Sequence, residues 1–359
     1  MALVPLDVSL VGRILNQDVF SRSGLLLLSR GTVLSSSEIF KMLRQKIMYV
    51  DVEDKNETST QQDDPNEELS KHLQNFYIEK EVSAAYVTVL DNARQLFDEI
   101  REDYIPPINQ FSGPFLPLVD QILNQSGIFR ALYVLDGSEG YTYRHSINVG
   151  ILSALIAKLL RLSKEEIILI GQAGLLHDVG KMLVPKEILM KPGKLTEEEF
   201  EQMKLHTVHG YNLLSKMEGG SEIFADIALS HHERLDGSGY PEKRVQKGLS
   251  YYTQIVMVAD VFDAICSDRV YKRRTSPFEA ANLLWNEACL GKINAEIATR
   301  FIHFIATLYT GSRAVLNSGD EVEVVLIYQD EPMRPLVRRH DEYLDLRHHR
   351  GLAIERMIG

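Results

Sequence analysis

The stretch Gly174-Leu-Leu-His-Asp-Val-Gly-Lys181 brings an imidazole and a carboxylate together at the end of an apolar, helix-like segment. Successive residues of a helix point about 100° apart, so His177 and Asp178 could serve one metal ion from two directions or bridge two ions. Taken alone, such a dipeptide is more typical of a buried, hydrogen-bonded pair. The rest of the chain decides between these interpretations.

Other histidines and aspartates stand on or at the ends of predicted apolar helices, where core residues are expected. They are His145, His206, His231, His232 and Asp260. With His177 and Asp178 they would make a very costly core unless they shared ligands. Histidine and aspartate without cysteine suit iron, manganese, zinc or nickel. The sequence therefore predicts a metal site.

The order His, His-Asp, His, His-His, Asp resembles the metal signature of the HD phosphohydrolase superfamily. The stretch His231-His-Glu-Arg-Leu-Asp-Gly-Ser-Gly-Tyr-Pro241 resembles the diagnostic motif of the HD-GYP subfamily. Lys191-Pro-Gly193 and Ser267-Asp-Arg-Val-Tyr-Lys272 also follow the pattern, so the resemblance covers about residues 140–277. It implies an all-helical domain that binds two or three metals and hydrolyses the bacterial second messenger cyclic di-GMP.

The resemblance also implies roles for single residues. The implied metal ligands are His145, His177, Asp178, His206, His231, His232 and Asp260, with Asp178 as a bridging carboxylate. Catalysis would rest on His177, Asp178 and Lys181, with a metal-bridging hydroxide attacking the phosphodiester. The expected cofactor is a pair of divalent ions, with iron or manganese favoured and zinc or nickel as alternatives.

Six residues are expected to bind the substrate. They are Lys181, Gly239, Tyr240, Asp263, Arg269 and Lys272. Lys181 could reach a phosphate, or it could be a helix-end lysine paired with Asp178. Asp263 could contact the substrate or orient a ligand histidine.

The remaining substrate contacts each have a plainer alternative. Arg269 and Lys272 could grip phosphates, although either could be a surface charge. Tyr240, in the Gly-Ser-Gly-Tyr-Pro loop, could shape a guanine pocket, although tyrosine beside glycine and proline is also ordinary turn chemistry.

One position departs from the family pattern. Some members carry a glutamate one helical turn before the first histidine, where it helps to hold a third metal. Here that position is Tyr141, and a phenol is protonated at neutral pH. The sequence therefore predicts two metals rather than three. By the same implication, the linear product pGpG is favoured over GMP.

The fold class is expected to be mainly α, an all-helical HD-type domain between smaller parts. The predicted division is an N-terminal α/β accessory unit (1–54), an acidic linker (55–68), a helical catalytic region (69–310) and a C-terminal β tail (311–359). In the first unit the patterns predict strands Val8–Leu15, Gly24–Leu28 and Tyr49–Val52 and a helix Ser35–Lys46.

Apolar residues recur at spacings of four and three in the helical segment 69–104. They are Val82, Tyr86, Val89, Ala93, Leu96 and Ile100. The pattern fits either a homodimer seam or an amphipathic helix docked on its own domain. Its shortness favours docking.

Composition limits the classes of partner. The chain has 359 residues and a formal net charge of −11, which argues against polynucleotide binding. Two cysteines cannot form a disulfide framework or a cysteine metal site. Neither a signal peptide nor a run of about 18 apolar residues is evident, so a cytoplasmic protein without a membrane span is expected, and the family resemblance implies a bacterial one.

Two alternatives to a cyclic di-GMP phosphodiesterase remain open. The same site could hydrolyse another cyclic dinucleotide, such as mixed cyclic GMP-AMP, because pocket shape decides the base. The domain could instead be a catalytically weak sensor or adaptor of cyclic di-GMP. Degenerate members usually lose metal ligands, whereas every core ligand is present here.

Overall fold

The computed structural model describes residues 4–5, 10, 13–20, 26–34, 42, 47, 49–52, 80–101, 104–124, 141–191, 193–266 and 277–358. The chain forms two compact units. The smaller comprises Met1–Ala84 with Gly127–Leu135, and the larger comprises Ala85–Ser126 with Asp136–Gly359. The predicted division at residues 54, 68 and 310 stays a prediction, and the linker 55–68 lies outside the described residues.

The described chain is mainly helical, as predicted. Its helices are α1 (Lys80–Arg101), α2 (Ile108–Asn124), α3 (Tyr141–Leu159), α4 (Lys164–Leu176), α5 (Lys186–Leu189), α6 (Glu197–Lys204), α7 (His206–Leu214), α8 (Glu222–Ser230), α9 (Tyr251–Cys266), α10 (Pro277–Cys289) and α11 (Ala295–Thr307). Two 3₁₀ helices span Val179–Leu183 and Gln246–Gly248. Of the helices described, none has the length and apolar character that crossing a membrane requires.

Capping boxes start two of the helices that lead to predicted ligands. Before α4, the Ser163 hydroxyl accepts the Glu166 N–H and the Glu166 carboxylate accepts the Ser163 N–H. Thr196 and Glu199 make the same reciprocal pair at the start of α6. Each box satisfies donors that the first turn leaves unpaired, so the local sequence sets where these helices begin.

The predicted seam lies on α1 and is buried within the single chain. Its members are 1–3% exposed, namely Val82, Tyr86, Val89, Ala93, Leu96 and Ile100. On the same helix, the Phe97 ring packs 5.6 Å from Phe111 of α2 and 5.8 Å from Tyr143 of α3. The docked amphipathic helix is therefore what the structure shows. The apolar side chains of this face already have intramolecular partners, so the described residues give no support to a homodimer, and the homodimer through helix 69–104 stays a prediction.

The smaller unit contains short antiparallel pairs. β1 (Val4–Pro5) pairs with β4 (Tyr49–Val50), and β2 (Val19–Phe20) pairs with β3 (Leu26–Leu28). The described part of the predicted strand Val8–Leu15 forms only isolated bridges, at its last two residues. The predicted helix Ser35–Lys46 lies outside the described residues apart from Met42.

A five-stranded antiparallel sheet follows the helices. Its strands are β5 (Arg313–Leu316), β6 (Glu321–Leu326), β7 (Leu336–Arg339), β8 (Glu342–Asp345) and β9 (Ile354–Ile358), in the order β8-β7-β6-β5-β9. Within β6 exposure alternates over Glu321–Val324, with Val322 and Val324 buried. These valines share a buried cluster with Phe278 of α10 and Ala306 of α11. The C-terminal β segment thus packs on the helices of its own unit.

Candidate metal centre

The seven predicted ligands come together from five parts of the chain. They are His145 of α3, His177 and Asp178 after α4, His206 at the start of α7, His231 and His232 after α8, and Asp260 of α9. All are buried except His232, whose side chain is 21% exposed. Residues far apart in sequence therefore meet at one partly accessible point.

Asp178 lies at the middle of this cluster. Its Oδ1 is 3.3 Å from His206 Nε2 and 3.5 Å from His231 Nε2. Its Oδ2 is 3.4 Å from His145 Nε2 and 3.3 Å from His177 Nε2. The two carboxylate oxygens thus face two different pairs of imidazoles.

Two groups of side chains could each hold a metal ion, and both contain Asp178. The first group is His145, His177 and Asp178, and the second is Asp178, His206, His231 and His232. Within each group the ligand atoms lie within 4.8 Å of one another. Asp260 lies beside the first group, since its Oδ1 is 3.1 Å from His145 Nε2, and its Oδ2 is 3.7 Å from His232 Nδ1.

Main-chain carbonyls orient three of the histidines. The Nδ1 atoms of His177, His206 and His231 lie 2.7, 2.6 and 2.9 Å from the carbonyl oxygens of Gly174, Met203 and Ala228, each three residues earlier. A carbonyl only accepts, so Nδ1 carries the proton and Nε2 presents its lone pair to the centre. This is the tautomer that a metal ligand needs.

Two buried atoms at the centre have the chemistry of metal ligands. Among the residues that the structure describes, neither His177 Nε2 nor Asp178 Oδ1 has a hydrogen-bond partner. Leaving such atoms buried and unpaired is costly. A divalent ion between the imidazoles and the carboxylate would satisfy both, so the residues present fit a metal.

Protonation states also favour metal binding. Burial lowers the pKa of His206 to about 3 and also lowers the pKa values of His231 and His232. Burial acts to raise the pKa of Asp178, but the charge of Lys181 and the neighbouring imidazoles of His145 and His177 together outweigh it and hold the pKa well below its usual range. Neutral imidazoles and an ionised carboxylate are the forms that bind metal.

Close main-chain contact places Asp178 beside His206. A Cβ on Gly180 would lie 2.0 Å from the His206 carbonyl oxygen and 2.4 Å from the Gly210 nitrogen. Only glycine allows the 3₁₀ helix after Asp178 to approach α7 this closely. Lys181 follows on this 3₁₀ helix, and its Nζ contacts Asp178 Oδ2.

Asp263 lies behind the centre rather than in its opening. It is 2% exposed; its Oδ2 is 2.7 Å from His145 Nδ1, and its Oδ1 accepts a hydrogen bond from the Asn148 side-chain amide. Of the two roles expected for Asp263, these contacts favour the orientation of His145 over a contact with the substrate.

Tyr240 lies at the accessible side of the centre. Its ring centroid is 4.8 Å from that of His232, and burial raises the pKa of its phenol well above 10. The phenol therefore stays protonated and can donate a hydrogen bond. A Cβ on the preceding Gly239 would lie 2.3 Å from Glu233 Cα, so this loop needs glycine to pack against the end of α8.

The structure adds residues that the sequence patterns did not indicate. Glu233 is fully buried and accepts hydrogen bonds from the backbone N–H groups of Glu242 and Arg244, which holds the loop that carries Tyr240. The one feature of the sequence that could have pointed to Glu233 is its position directly after the pair His231-His232. Asn148, which binds Asp263, was also not indicated. Its spacing of three residues from His145 is the feature that could have pointed to it.

Phe200 extends the aromatic surface outward from Tyr240. It is 47% exposed, and its ring centroid lies 6.3 Å from that of Tyr240. The Lys204 ammonium lies 5.3 Å from the Phe200 centroid and 5.8 Å from the Tyr240 centroid. In the sequence, the feature that could have pointed to Phe200 is that it is a single phenylalanine within the acidic run at the start of α6.

Three positions remain untested by the structure. Arg269 and Lys272 lie outside the described residues. Tyr141 begins α3, but its side chain also lies outside them, so its bearing on a third metal stays a prediction.

The sequence is similar to known phosphodiesterases. A family model described as HD domain matches residues 110–297, which is more than half of the chain. The chain is 38% identical over 208 residues to a cyclic di-GMP phosphodiesterase of Pseudomonas aeruginosa, covering 56% of this chain and 49% of that protein. It is 35% identical over 164 residues to a 3'3'-cGAMP-specific phosphodiesterase of Vibrio cholerae, covering 46% and 38%.

The fold is similar to that of a solved structure. An HDG"Y"P protein from Bdellovibrio bacteriovorus aligns with a TM-score of 0.51 over 84% of this chain and 98% of that one, at 18% identity. At that identity the likeness concerns the fold alone. The chain spans about half the length, or less, of the two curated relatives. The resemblance drawn from the motifs is confirmed by the family match: the chain belongs to the HD domain family.

Proposed function

We propose that this protein is a metal-dependent phosphodiesterase that hydrolyses cyclic di-GMP. The observation that carries the proposal is the pair of ligand groups that share Asp178. Such a pair suits the reaction because a phosphodiester is anionic and repels nucleophiles, so its hydrolysis needs concentrated positive charge. The intact ligand set argues against a catalytically weak sensor or adaptor.

The first ion would be held by His145, His177, Asp178 and Asp260, and the second by Asp178, His206, His231 and His232. When bound, two divalent ions supply charge neutralisation and lower the pKa of a water molecule. Iron or manganese is the proposed metal, and two is the proposed number. The linear dinucleotide pGpG is the proposed product and the bacterial cytoplasm the proposed location.

The chain's own residues would position the substrate around this centre. Lys181 lies next to Asp178, where its ammonium group can bind a phosphate oxygen. Tyr240 keeps its proton and can donate to the substrate. The rings of Tyr240 and Phe200 offer faces on which a base can stack. Arg269 and Lys272 are proposed as further phosphate contacts.

A mixed cyclic GMP-AMP dinucleotide is the second candidate substrate. It is favoured by the similarity to the cGAMP-specific relative, at an identity close to that of the cyclic di-GMP relative. Stacking on Tyr240 and Phe200 does not distinguish the bases, because every base has a stacking face.

A reconstitution experiment tests the proposal. Metal-free protein is loaded anaerobically with Fe²⁺ or Mn²⁺, and its turnover of cyclic di-GMP and of cyclic GMP-AMP is compared. We expect hydrolysis of cyclic di-GMP to be faster and to disappear in the double variant His177→Ala/Asp178→Ala.

His206→Ala and His209→Ala form a matched pair for this experiment. Both replace a histidine of α7, but only His206 belongs to a ligand group. His206→Ala should lose turnover and His209→Ala should keep it. Undiminished turnover in the double variant would contradict the metal site, and equal turnover of both dinucleotides would contradict the specificity.

A further inference from the structure

A chain of hydrogen bonds leads from α1 to His145. The Tyr86 hydroxyl of α1 donates to Asn148 Oδ1 over 2.9 Å. The Asn148 amide nitrogen of α3 donates to Asp263 Oδ1 of α9 over 3.1 Å. The other carboxylate oxygen, Asp263 Oδ2, lies 2.7 Å from His145 Nδ1. Three helices thus contribute to the orientation of one ligand.

The whole chain of bonds is buried. Tyr86, Asn148, Asp263 and His145 are 2, 6, 2 and 4% exposed. Hydrogen bonds are electrostatically stronger in such surroundings than in water, and an unpaired member is correspondingly costly. The side chains are therefore held in one arrangement.

The arrangement depends on both ends of the Asn148 amide. Asn148 follows His145 by three residues, so both side chains lie on one face of α3 and each binds one oxygen of Asp263. Tyr86 donates to the amide oxygen, which leaves the amide nitrogen directed at Asp263. If the amide rotated by half a turn, its oxygen would face the Asp263 carboxylate and repel it.

The direction of His145 matters because its other nitrogen faces the centre. Nε2 lies 3.1 Å from Asp260 Oδ1 and 3.4 Å from Asp178 Oδ2. If the His145 ring lost its hydrogen bond to Asp263 and rotated, Nε2 would move away from the remaining ligands of the first group. Loss of ligand orientation lowers metal affinity.

We propose that Asn148 and Tyr86 are positioning residues that hold Asp263, and through it His145, in the orientation that metal binding requires. The affinity of the first ligand group for its ion then depends on the position of α1. This helix begins in the smaller unit, and Tyr86 lies two residues past the boundary at Ala84. The inference rests on the proposed function only in that the centre binds metal.

The test measures Mn²⁺ binding by calorimetry on the metal-stripped full chain. Asn148→Leu keeps the approximate volume and removes both hydrogen bonds, so we expect the affinity of one of the two sites to fall about 10-fold or more. Tyr86→Phe removes only the terminal hydroxyl, and we expect a loss of about 2–10-fold. Asn148→Leu should have the larger effect, because it acts directly on Asp263.

Tyr143→Phe is the matched control. The Tyr143 hydroxyl also joins α3 to α1, through a 3.1 Å hydrogen bond to Asp98, but it takes no part in the chain that leads to His145. We expect Tyr143→Phe to bind Mn²⁺ as the wild type does. Thermal unfolding of the metal-free variants separates a loss of stability from a loss of affinity.

Two results would overturn the inference: wild-type Mn²⁺ affinity in Tyr86→Phe and Asn148→Leu, or an equal loss in Tyr143→Phe. If Asn148→Leu does not fold, the comparison of Mn²⁺ affinity between Tyr86→Phe and Tyr143→Phe still tests the inference. A wild-type protein that binds Mn²⁺ but hydrolyses no cyclic dinucleotide would contradict the proposed function alone. Variants with unchanged Mn²⁺ affinity, in a protein that does hydrolyse cyclic di-GMP, would contradict the positioning role alone.

Discussion

At the scale of single residues, burial sets the charge of the imidazoles in the centre. His206, His231 and His232 all have pKa values lowered by desolvation, which the nearby carboxylates offset only in part. The unfolded chain has no such burial, so its histidines titrate near the ordinary value of about 6.5. The folded and unfolded states therefore bind different numbers of protons in mildly acidic solution.

Acid is expected to destabilise the metal-free protein well before its carboxylates titrate. With a folded pKa of about 3 for His206, the unfolded state binds more protons between about pH 6.5 and 3, so stability falls as the pH falls. From pH 7.5 to pH 5 this histidine alone accounts for about 2 kcal/mol. Urea unfolding at the two pH values measures the difference.

His206→Ala is the control for this pH effect. The difference in the free energy of unfolding between pH 7.5 and pH 5 should be smaller in this variant by about the same 2 kcal/mol. An unchanged difference in that variant would show that His206 is not the group responsible.

The residues of the centre were largely predictable, and their supporting contacts were not. His177 and Asp178 stand out because histidine and aspartate are unusual in an apolar helical pattern. Glu233 and Asn148 do not stand out, because their contacts are with a loop and a helix that only the tertiary structure brings near. Asp263 had two predicted roles, and only its burial and its contacts with His145 and Asn148 distinguish them.

At the scale of elements, the 3₁₀ helix Val179–Leu183 and α7 must touch backbone to backbone. Gly180 makes this contact, and it fixes the distance between Asp178, directly before the 3₁₀ helix, and His206 of α7. A methyl group at this position has no space, because the atoms that it would meet belong to the main chain.

Gly180→Ala is expected to reduce the free energy of unfolding by about 1–3 kcal/mol or more, as overpacking does, and to weaken metal binding. The matched control is Gly351→Ala, since a Cβ on Gly351 would meet nothing within 4 Å. Urea unfolding and Mn²⁺ titration measure both effects. If the two variants were equally stable, the close contact would not be needed.

The exposed face of α6 next to the centre should matter for binding rather than for chemistry. Phe200→Ala removes one ring of the aromatic surface, and base stacking is worth about 1–3 kcal/mol. We expect KM for cyclic di-GMP to rise about 5-fold or more, with kcat nearly unchanged. Steady-state kinetics provide the measurement.

Tyr343→Ala is the control for this substitution, because Tyr343 is an exposed aromatic residue of β8. It should leave KM unchanged. A fall in kcat at constant KM in Phe200→Ala would contradict a role in binding the base.

The sequence patterns predicted β3 and β4, but strands of the C-terminal sheet differ in how clearly their sequences mark them. The first four residues of β6, Glu321–Val324, alternate in sequence between polar and apolar, and the two valines are the buried ones. β5 has three consecutive buried residues and β8 begins with two exposed ones, so neither shows the period of two that marks a strand. The partners of these strands, rather than their own sequences, determine that they form.

At the scale of the whole molecule, the ligands join five separate parts of the larger unit. Cations bound at the two ligand groups would together cross-link α3, the end of α4, the start of α7, the end of α8 and α9. An ion that binds the folded but not the unfolded chain stabilises the folded state. Metal loading should therefore affect the unfolding of the whole unit and not only the local centre.

Chelation should lower the thermal unfolding temperature. At a free Mn²⁺ concentration of 100 times Kd, each site is expected to add about 2.7 kcal/mol to the free energy of unfolding. Thermal unfolding with Mn²⁺ and with a chelator gives the shift. The His177→Ala/Asp178→Ala variant should show almost no shift in unfolding temperature. A shift equal to that of the wild type would mean that the ion binds at another site.

The carbonyl contacts of His177, His206 and His231 have a consequence for how the centre can change over evolution. Their orientation comes from backbone that every amino acid supplies, so substitutions of neighbouring side chains leave these ligands aimed as before. His145 instead takes its orientation from side chains on two other helices. Mutation can therefore adjust metal affinity at His145 in small steps while the other three histidines keep the ability to bind metal at all.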